Sequence, residues 1–321
     1  MRDTTSEFPG ARSGAAGGVL AGAPWMRAFA PWALGLGLVV LIAVLVLTMP
    51  GNPILDLNRR QYRAPGTILS HAGMLLLLVG LVAHAPDWLA AVRQWRPRRL
   101  AGVLAVAILA PLAGLALIGL AWPAYGRALT REWGLVEPAQ AGLFLISAWI
   151  AWRHAAFLGP RAADYRPYRF VSLSCVLLAI EEMDWFGILG PLIGRVGAAS
   201  VYVGSSHDLV KVAWHYPWFA IPLVVAGLLG LGLIWSRGYL TVGFIRREMF
   251  EPTTLLLYAA FAAQAVAQTL DVDDTLLSTR HPIFHYPLEE PCELLADLLL
   301  ASGLLLKYVR DWRRAGSPRA Q

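Results

Sequence analysis

Apolar residues in this chain are gathered into eight blocks, each followed by a short joint that carries charged residues, proline or tryptophan. A helix of about twenty residues rises about 30 Å, which matches the hydrocarbon core of a bilayer. The pattern therefore predicts an all-α fold, a polytopic transmembrane helix bundle of about eight spans. The predicted spans are residues 31–49, 67–86, 101–122, 134–152, 170–190, 214–235, 253–271 and 288–307.

The two ends of the chain differ from these blocks. Residues 1–24 are rich in Gly, Ala and Ser and hold no long apolar run, which predicts a disordered N-terminal tail. Residues 25–312 are predicted to form a single transmembrane helical domain, and residues 313–321 a short basic C-terminal tail. The first apolar block is too long for a signal-peptide core and is not followed by a cleavage pattern, which favours its retention as a helix.

Composition narrows the class of protein further. Apolar residues make up 57% of the chain and charged residues 15%, which excludes a soluble globular protein. Two cysteines cannot build a disulfide framework or a thiolate zinc site, and the chain has no Gly-rich phosphate loop of the usual nucleotide enzymes. The net charge of +6 comes from basic residues scattered through the joints, so membrane topology explains it better than binding to nucleic acid.

The basic residues also predict an orientation. If the N-terminus lies inside, the inner segments hold 19 of the 27 Lys and Arg residues, so the positive-inside rule places both termini in the cytoplasm. Tryptophans near the two ends of the predicted spans form the two aromatic belts expected at membrane interfaces. The chain is accordingly expected in a bacterial inner (plasma) membrane, in contact with membrane lipid.

Two predicted spans are too short unless acidic residues enter the membrane. Between Arg169 and Glu181 the apolar run covers only about 15 Å of helix, or half the hydrocarbon thickness. This helix is therefore expected to continue through Glu181, Glu182 and Asp184. In the last span only nine uncharged residues, 298–306, precede a lysine, so this helix must reach back through Asp297 and Glu293 toward Pro291.

Acids at this depth are expected to face one another rather than lipid. Glu181 and Asp184 are three residues apart, and Glu290, Glu293 and Asp297 are spaced three and then four apart, so each set projects from one helix face. Intramembrane carboxylates usually mark pathways or chemistry, although hydrogen-bonded acids can also simply join helices. The proposed catalytic residues are Glu181, Glu182, Asp184, Glu293 and Asp297, with Gln264, Gln268 and Glu137 as further members of the site.

Histidines predict a metal site nearby. His281 and His285 are four residues apart and share one face if the segment is helical, with Pro282 suited to a first helical turn. Together with His207 they could bind a divalent metal, for which Zn²⁺ is the best candidate, and the metal would activate a water molecule. The alternative is that these histidines only cap loops at the membrane interface.

Several short motifs resemble those of an uncharacterised bacterial multi-pass membrane protein family. In that family a Glu-Glu-x-x-Trp step is followed by a polar outer segment and a last helix that begins with Glu. The chain is similar at Glu181-Glu182-Met183-Asp184-Trp185, at His207-Asp208 and at Glu289-Glu290, but has Phe186 where a Gly-Gln step is usual. The resemblance covers about residues 130–310 and implies a shared site without naming an activity.

A weaker resemblance is to the alkaline ceramidase and adiponectin-receptor superfamily of seven-helix zinc amidohydrolases. The segment Arg280-His281-Pro282-Ile283-Phe284-His285 is similar to the HxxxH near the last helix of that superfamily. Ser70-His71 echoes its early Ser and His, whereas its Asp on the following helix is missing here, since residues 101–122 hold no ionisable side chain.

Three functions remain open from the sequence. The first is a metal-dependent hydrolase that acts on a lipid or lipid-linked substrate, with the metal at the histidines and an acid of the Glu181 segment as base. The second is a proton- or cation-coupled transporter in which the acids load and release the ion. The third is a structural or assembly subunit of a membrane complex.

Overall fold

Helices account for nearly all of the chain that a computed structural model describes, which is residues 24–47, 63–122, 126, 129, 136–182, 192–196, 199–203, 217–249, 251, 253–272 and 289–316. Two short strands, β1 (Leu192–Val196) and β2 (Ala199–Val203), pair as an antiparallel hairpin. The helices are α1 (Pro24–Leu47), α2 (Arg63–Ala83), α3 (Ala85–Gln94), α4 (Pro97–Ala121), α5 (Val136–Leu158), α6 (Tyr165–Glu182), α7 (Pro217–Ser236), α8 (Val242–Met249), α9 (Thr254–Val272) and α10 (Glu289–Gly316).

The long helices α1, α2, α4, α5, α6, α7, α9 and α10 overlap the eight predicted apolar segments. Two of them, α4 and α5, are long and apolar enough to cross a membrane, and Ala72–Ala83 with Asp87–Gln94 would add a third if this pair, bent by 64°, is one span. The chain thus has helices of the membrane-spanning type. The number of eight crossings and the cytoplasmic termini stay predictions, and the 1–24 tail lies outside the described residues except for Pro24.

The ends of two helices bear on the predicted acidic site. Helix α10 begins at Glu289, so it does reach back through the acids, and it continues to Gly316, past the boundary predicted at residue 312. Its first turn is acidic and its last turn basic, as the helix dipole favours. Helix α6 is described as far as Glu182, and its predicted continuation toward residue 189 lies outside the described residues.

Helices α5 and α10 form the centre of the bundle. Helix α5 packs against α2, α6 and α10, while α10 also packs against α3, α4 and α9. One apolar cluster between α5 and α6 is built from Phe144, Ala148, Cys175 and Ala179. Helix α5 ends where Gly159 takes a φ of +80°, a left-handed conformation that glycine adopts without a Cβ clash, and its N–H bonds the carbonyl of Ala155.

Helices α1 and α2 approach each other closely through glycine. A Cβ on Gly37 would lie 2.7 Å from the carbonyl oxygen of Gly73, and a Cβ on Gly80 would lie 2.4 Å from Cγ of Leu34. Small residues allow this approach, which supplies van der Waals contact where lipid removes the hydrophobic drive between helices.

The outer helix faces expose large apolar side chains. Helix α7 is exposed along most of its described length, and on α9 Phe261 is 78% exposed. A continuous apolar surface of this size would be unfavourable in water but is compatible with hydrocarbon around the bundle. The polar groups described below lie on the opposite, inward faces of the central helices.

Candidate functional site

Glu293 lies on the second turn of α10 with only 7% of its surface exposed. Its Oε2 accepts a hydrogen bond of 3.2 Å from Nε2 of Gln140 on α5. Its Oε1 accepts one of 3.4 Å from Nε2 of Gln264 on α9. Two neighbouring helices therefore each direct an amide donor at one buried carboxylate.

Asp297 follows one helical turn later on the same face of α10 and is 3% exposed. Its Oδ2 is buried and has no hydrogen-bond partner among the described residues, and the same holds for Oε2 of Glu290. A buried oxygen without a partner is costly unless it carries a proton or meets a ligand.

Helix α6 adds a second acidic helix through Glu182, its last described residue. The carboxyl groups of Glu293, Asp297, Glu290 and Glu137 are near enough to Glu182 to act on it electrostatically. We call the following group the acidic cluster: Gln140, Glu182, Gln264, Glu290, Glu293 and Asp297.

The composition of the acidic cluster limits its chemistry. Several carboxylates in a medium of low dielectric cannot all stay charged, so protons, cations or arginines must neutralise them. Among the residues that the structure describes, no three His, Cys, Asp or Glu side chains are arranged to hold a metal ion. Amide donors and closely spaced carboxyl groups are instead suited to holding and exchanging protons.

The cluster contains much of the predicted site. Of the predicted residues, Glu293 and Asp297 act electrostatically on Glu182, and Gln264 donates a hydrogen bond to Glu293. That these residues form a functional site stays a prediction. Glu181 is half-buried on the same turn of α6. Other predicted members are outside the described side chains: Asp184, Gln268 and the proposed metal ligands His207, His281 and His285.

A second polar group, not predicted from the sequence, lies at the other end of α10. The Nζ of Lys307 is 2.9 Å from Oε1 of Glu248, in the last turn of the short helix α8, and 3.7 Å from Oδ2 of Asp311. Arg310 pairs with Glu251, just after α8. We call the following group the C-terminal cluster: His154, Glu248, Glu251, Lys307, Arg310 and Asp311.

His154 joins α5 to this cluster and is 1% exposed. Its Nε2 lies 3.2 Å from Oδ2 of Asp311, and its ring centroid is 4.0 Å from that of Tyr168 on α6. Asp311 lies beyond residue 307, where the predicted last span ends. Burial by itself would raise the pKa of Asp311, but the contact with His154 and the positive charges of Lys307 and Arg310 lower this pKa below its ordinary value of 3.8.

The short helix α3 is fixed to the same end of α10. The guanidinium of Arg93 lies over the rings of Tyr308 and Trp312, at 5.3 and 4.6 Å from their centroids, and also donates to the Tyr308 hydroxyl. In return, Arg313 donates to the carbonyl oxygen of Arg93 at 3.2 Å. Cation–π contacts and backbone hydrogen bonds thus hold α3 against the last turns of the bundle's central helix.

The buried polar residues of α5 were not among the predicted site residues, although their spacing in the sequence could have indicated them. Gln140, Ser147 and His154 follow one another at intervals of seven residues within the apolar block of α5. Seven residues are close to two helical turns, so the three side chains share one face. The acids of residues 248–251 and 311 fall in joints, where the sequence offers no signal of a partner.

Comparison of the chain with models of protein families, with curated proteins and with solved structures finds no match. The function is therefore argued from the site itself, and the two family resemblances stay expectations.

Proposed function

We propose that the chain is a membrane transporter that moves protons, and that the acidic cluster takes them up and releases them. Its long helices would cross the bacterial inner membrane eight times, with both termini in the cytoplasm. The overlap of eight described helices with the apolar segments, and the exposed apolar outer faces, support this arrangement.

The hydrogen bonds of Glu293 are the observation that supports this proposal most. This carboxylate is held by amides from α5 and α9, next to a second buried carboxyl, Asp297, with an oxygen that has no partner in the described part of the chain. An intramembrane acid is costly, about 2.5–3.5 kcal/mol at mid-span when charged, so acids kept there usually serve ion movement. A proton removes the charge and can leave again.

Metal-dependent hydrolysis of a lipid or lipid-linked substrate is the alternative. It depends on a divalent metal, best Zn²⁺, at His207, His281 and His285, and these residues lie outside the described part of the chain. The described part offers carboxylates and amides, so it favours proton exchange. Metal analysis of the purified protein separates the two functions, because stoichiometric zinc that is lost in His285→Ala would support hydrolysis.

Proton flux into liposomes tests the proposed transport. Purified protein is reconstituted with a pH-sensitive dye inside, and a potassium gradient with valinomycin supplies the membrane potential. Asp297→Asn removes a titratable group of the acidic cluster while conserving shape, and Asp87→Asn makes the same change on the exposed side chain of α3.

We expect the wild type and Asp87→Asn to pass protons well above protein-free liposomes, and Asp297→Asn to lose this flux by about tenfold or more. Wild-type flux no greater than that of empty liposomes would overturn the proposed function. Flux unchanged in Asp297→Asn would overturn the role of the acidic cluster.

A further inference from the structure

Three polar side chains form a line along the buried face of α5. Gln140, Ser147 and His154 are all at most 1% exposed, and each is about 10 Å from the next along the helix. The first belongs to the acidic cluster and the last to the C-terminal cluster. Ser147 lies midway between them, and its Oγ is buried without a hydrogen-bond partner among the described residues.

Helix α6, which runs antiparallel to α5, carries a matching line. Glu182, Cys175 and Tyr168 are also spaced by seven residues. Each lies at the level of one polar residue of α5: Glu182 in the acidic cluster with Gln140, Cys175 against Ala148 next to Ser147, and Tyr168 against the ring of His154.

Helix α10 contributes one acidic residue at each end of this polar line. Asp297 belongs to the acidic cluster, and Asp311, fourteen residues later, contacts His154. This separation is about 21 Å along the helix, which is most of the hydrocarbon thickness. The two clusters therefore lie near opposite ends of one buried polar line between α5, α6 and α10.

We propose that this line carries protons between the acidic cluster and the His154–Asp311 pair, with the Ser147 hydroxyl as the relay at its middle. The proposal rests on the proposed function, because it names the route by which a proton held at Asp297 reaches the other side of the bundle. The buried hydroxyl of Ser147 supports it independently, since a polar atom with no partner among the described residues is costly by itself and is open to a hydrogen bond from a water molecule.

The proton moves through a series of exchanges, and each group that gives up a proton later regains one. Asp297 gives its carboxyl proton to a water molecule and becomes a carboxylate. Water passes the proton to Ser147, whose oxygen accepts one proton as it donates another. Further water delivers the proton to the imidazole of His154, which becomes an imidazolium beside the Asp311 carboxylate. The imidazolium then releases a proton to solvent at the C-terminal cluster and returns to imidazole, and Asp297 takes up a new proton from solvent at the end of the bundle that holds the acidic cluster.

The surroundings of His154 suit the last acceptor. Asp311 stabilises the imidazolium, while Tyr168 and Tyr308 pack against the ring and keep it from solvent. Lys307, which contacts the same Asp311 oxygen from 3.7 Å, opposes a second positive charge. The pairing of Lys307 with Glu248 limits this opposition.

Proton flux in liposomes tests the route with two variants and two matched controls. Ser147→Ala removes only the relay hydroxyl, and Ser236→Ala makes the same change at the exposed end of α7. His154→Gln removes the last acceptor, and His84→Gln makes the same change at a half-buried position before α3, outside both clusters. Thermal unfolding, followed by tryptophan fluorescence, identifies a variant that fails to fold, and Ser147→Ala has the smaller effect on packing.

We expect Ser147→Ala and His154→Gln each to lower flux about tenfold or more, while both controls match the wild type. Infrared difference spectra should still show protonation of Asp297 in Ser147→Ala, because the relay lies beyond that acid. If flux is lost in Asp297→Asn but kept in Ser147→Ala and His154→Gln, the proposed function stands and this route is wrong. If the wild type passes no protons, the function itself is wrong.

Discussion

Gln140 and Glu293 are 153 residues apart in the chain, yet the amide of the first donates a 3.2 Å hydrogen bond to the carboxylate of the second inside the bundle. This contact joins α5 to α10 at the level of the acidic cluster. It also fixes the orientation of a carboxylate whose charge the interior would otherwise oppose.

Replacing the donor should therefore destabilise the bundle. We expect Gln140→Leu to lower the free energy of unfolding by about 1–3 kcal/mol, because Glu293 keeps its place but loses a hydrogen bond to Oε2. Gln94→Leu, at the exposed end of α3, should change it little. Thermal unfolding in detergent, followed by the 13 tryptophans, measures both. Equal melting temperatures of Gln140→Leu and the wild type would show that the contact contributes nothing.

The close packing of α1 on α2 gives a second prediction. In Gly37→Ala the added methyl would collide with the backbone of Gly73, whereas the same change at Gly35 meets no atom within 4 Å. We expect Gly37→Ala to destabilise the protein by about 1–3 kcal/mol and Gly35→Ala to leave it unchanged or slightly more stable. The pair is compared by thermal unfolding, and a larger loss in Gly35→Ala would contradict this packing.

The ion pair between Lys307 and Glu248 gives a third prediction. Lys307→Met removes the cation that lies 2.9 Å from the buried carboxylate of Glu248 and should cost roughly 3 kcal/mol. Because the cost comes from the uncompensated charge, adding Glu248→Gln should restore part of the stability. The measurement is a double-mutant cycle on thermal stability. Additive losses from the two changes would show that the two side chains are not coupled.

The lowered pKa of Asp311 predicts that the stability of the folded protein depends on pH. Since its pKa is lowered in the folded protein, its ionised form adds stability above its ordinary pKa of 3.8, and this stability is lost as the pH falls through the lower folded value. Asp311→Asn should therefore be less stable than the wild type at neutral pH, and the difference should shrink below about pH 4. Melting curves of both proteins from pH 7 to pH 3 measure it. A difference that widens toward acid would have the wrong sign.

Some of the site could be predicted from the sequence because helix geometry is local. The spacing of Glu293 and Asp297 and the shortness of the apolar run before Lys307 require acids on one face inside the span, and α10 begins at Glu289 as that argument requires. The expectation that these acids face those of α6 rests on the cost of leaving charged faces in lipid, and it stays a prediction.

The C-terminal cluster could not be predicted in the same way. Lys307, Glu248 and Asp311 come from an apolar span, a short helix and a chain end, and only the packing of α10 brings them together. The positions of the basic residues between the apolar blocks predict which side of the membrane each loop faces, but they do not predict which acid a basic residue pairs with. The hairpin β1–β2 likewise depends on pairing across a turn, which helical periodicity does not address.

The central claim is that a buried carboxyl of the acidic cluster binds and releases a proton, and infrared difference spectroscopy tests it most directly. Spectra of the purified protein at acid and alkaline pH are subtracted, for the wild type, Asp297→Asn and the exposed control Asp87→Asn. We expect the wild-type spectrum to show a band of a protonated carboxyl group that appears on acidification and shifts in heavy water. This band should persist in Asp87→Asn and be lost in Asp297→Asn. A wild-type spectrum that Asp297→Asn leaves unchanged would contradict it.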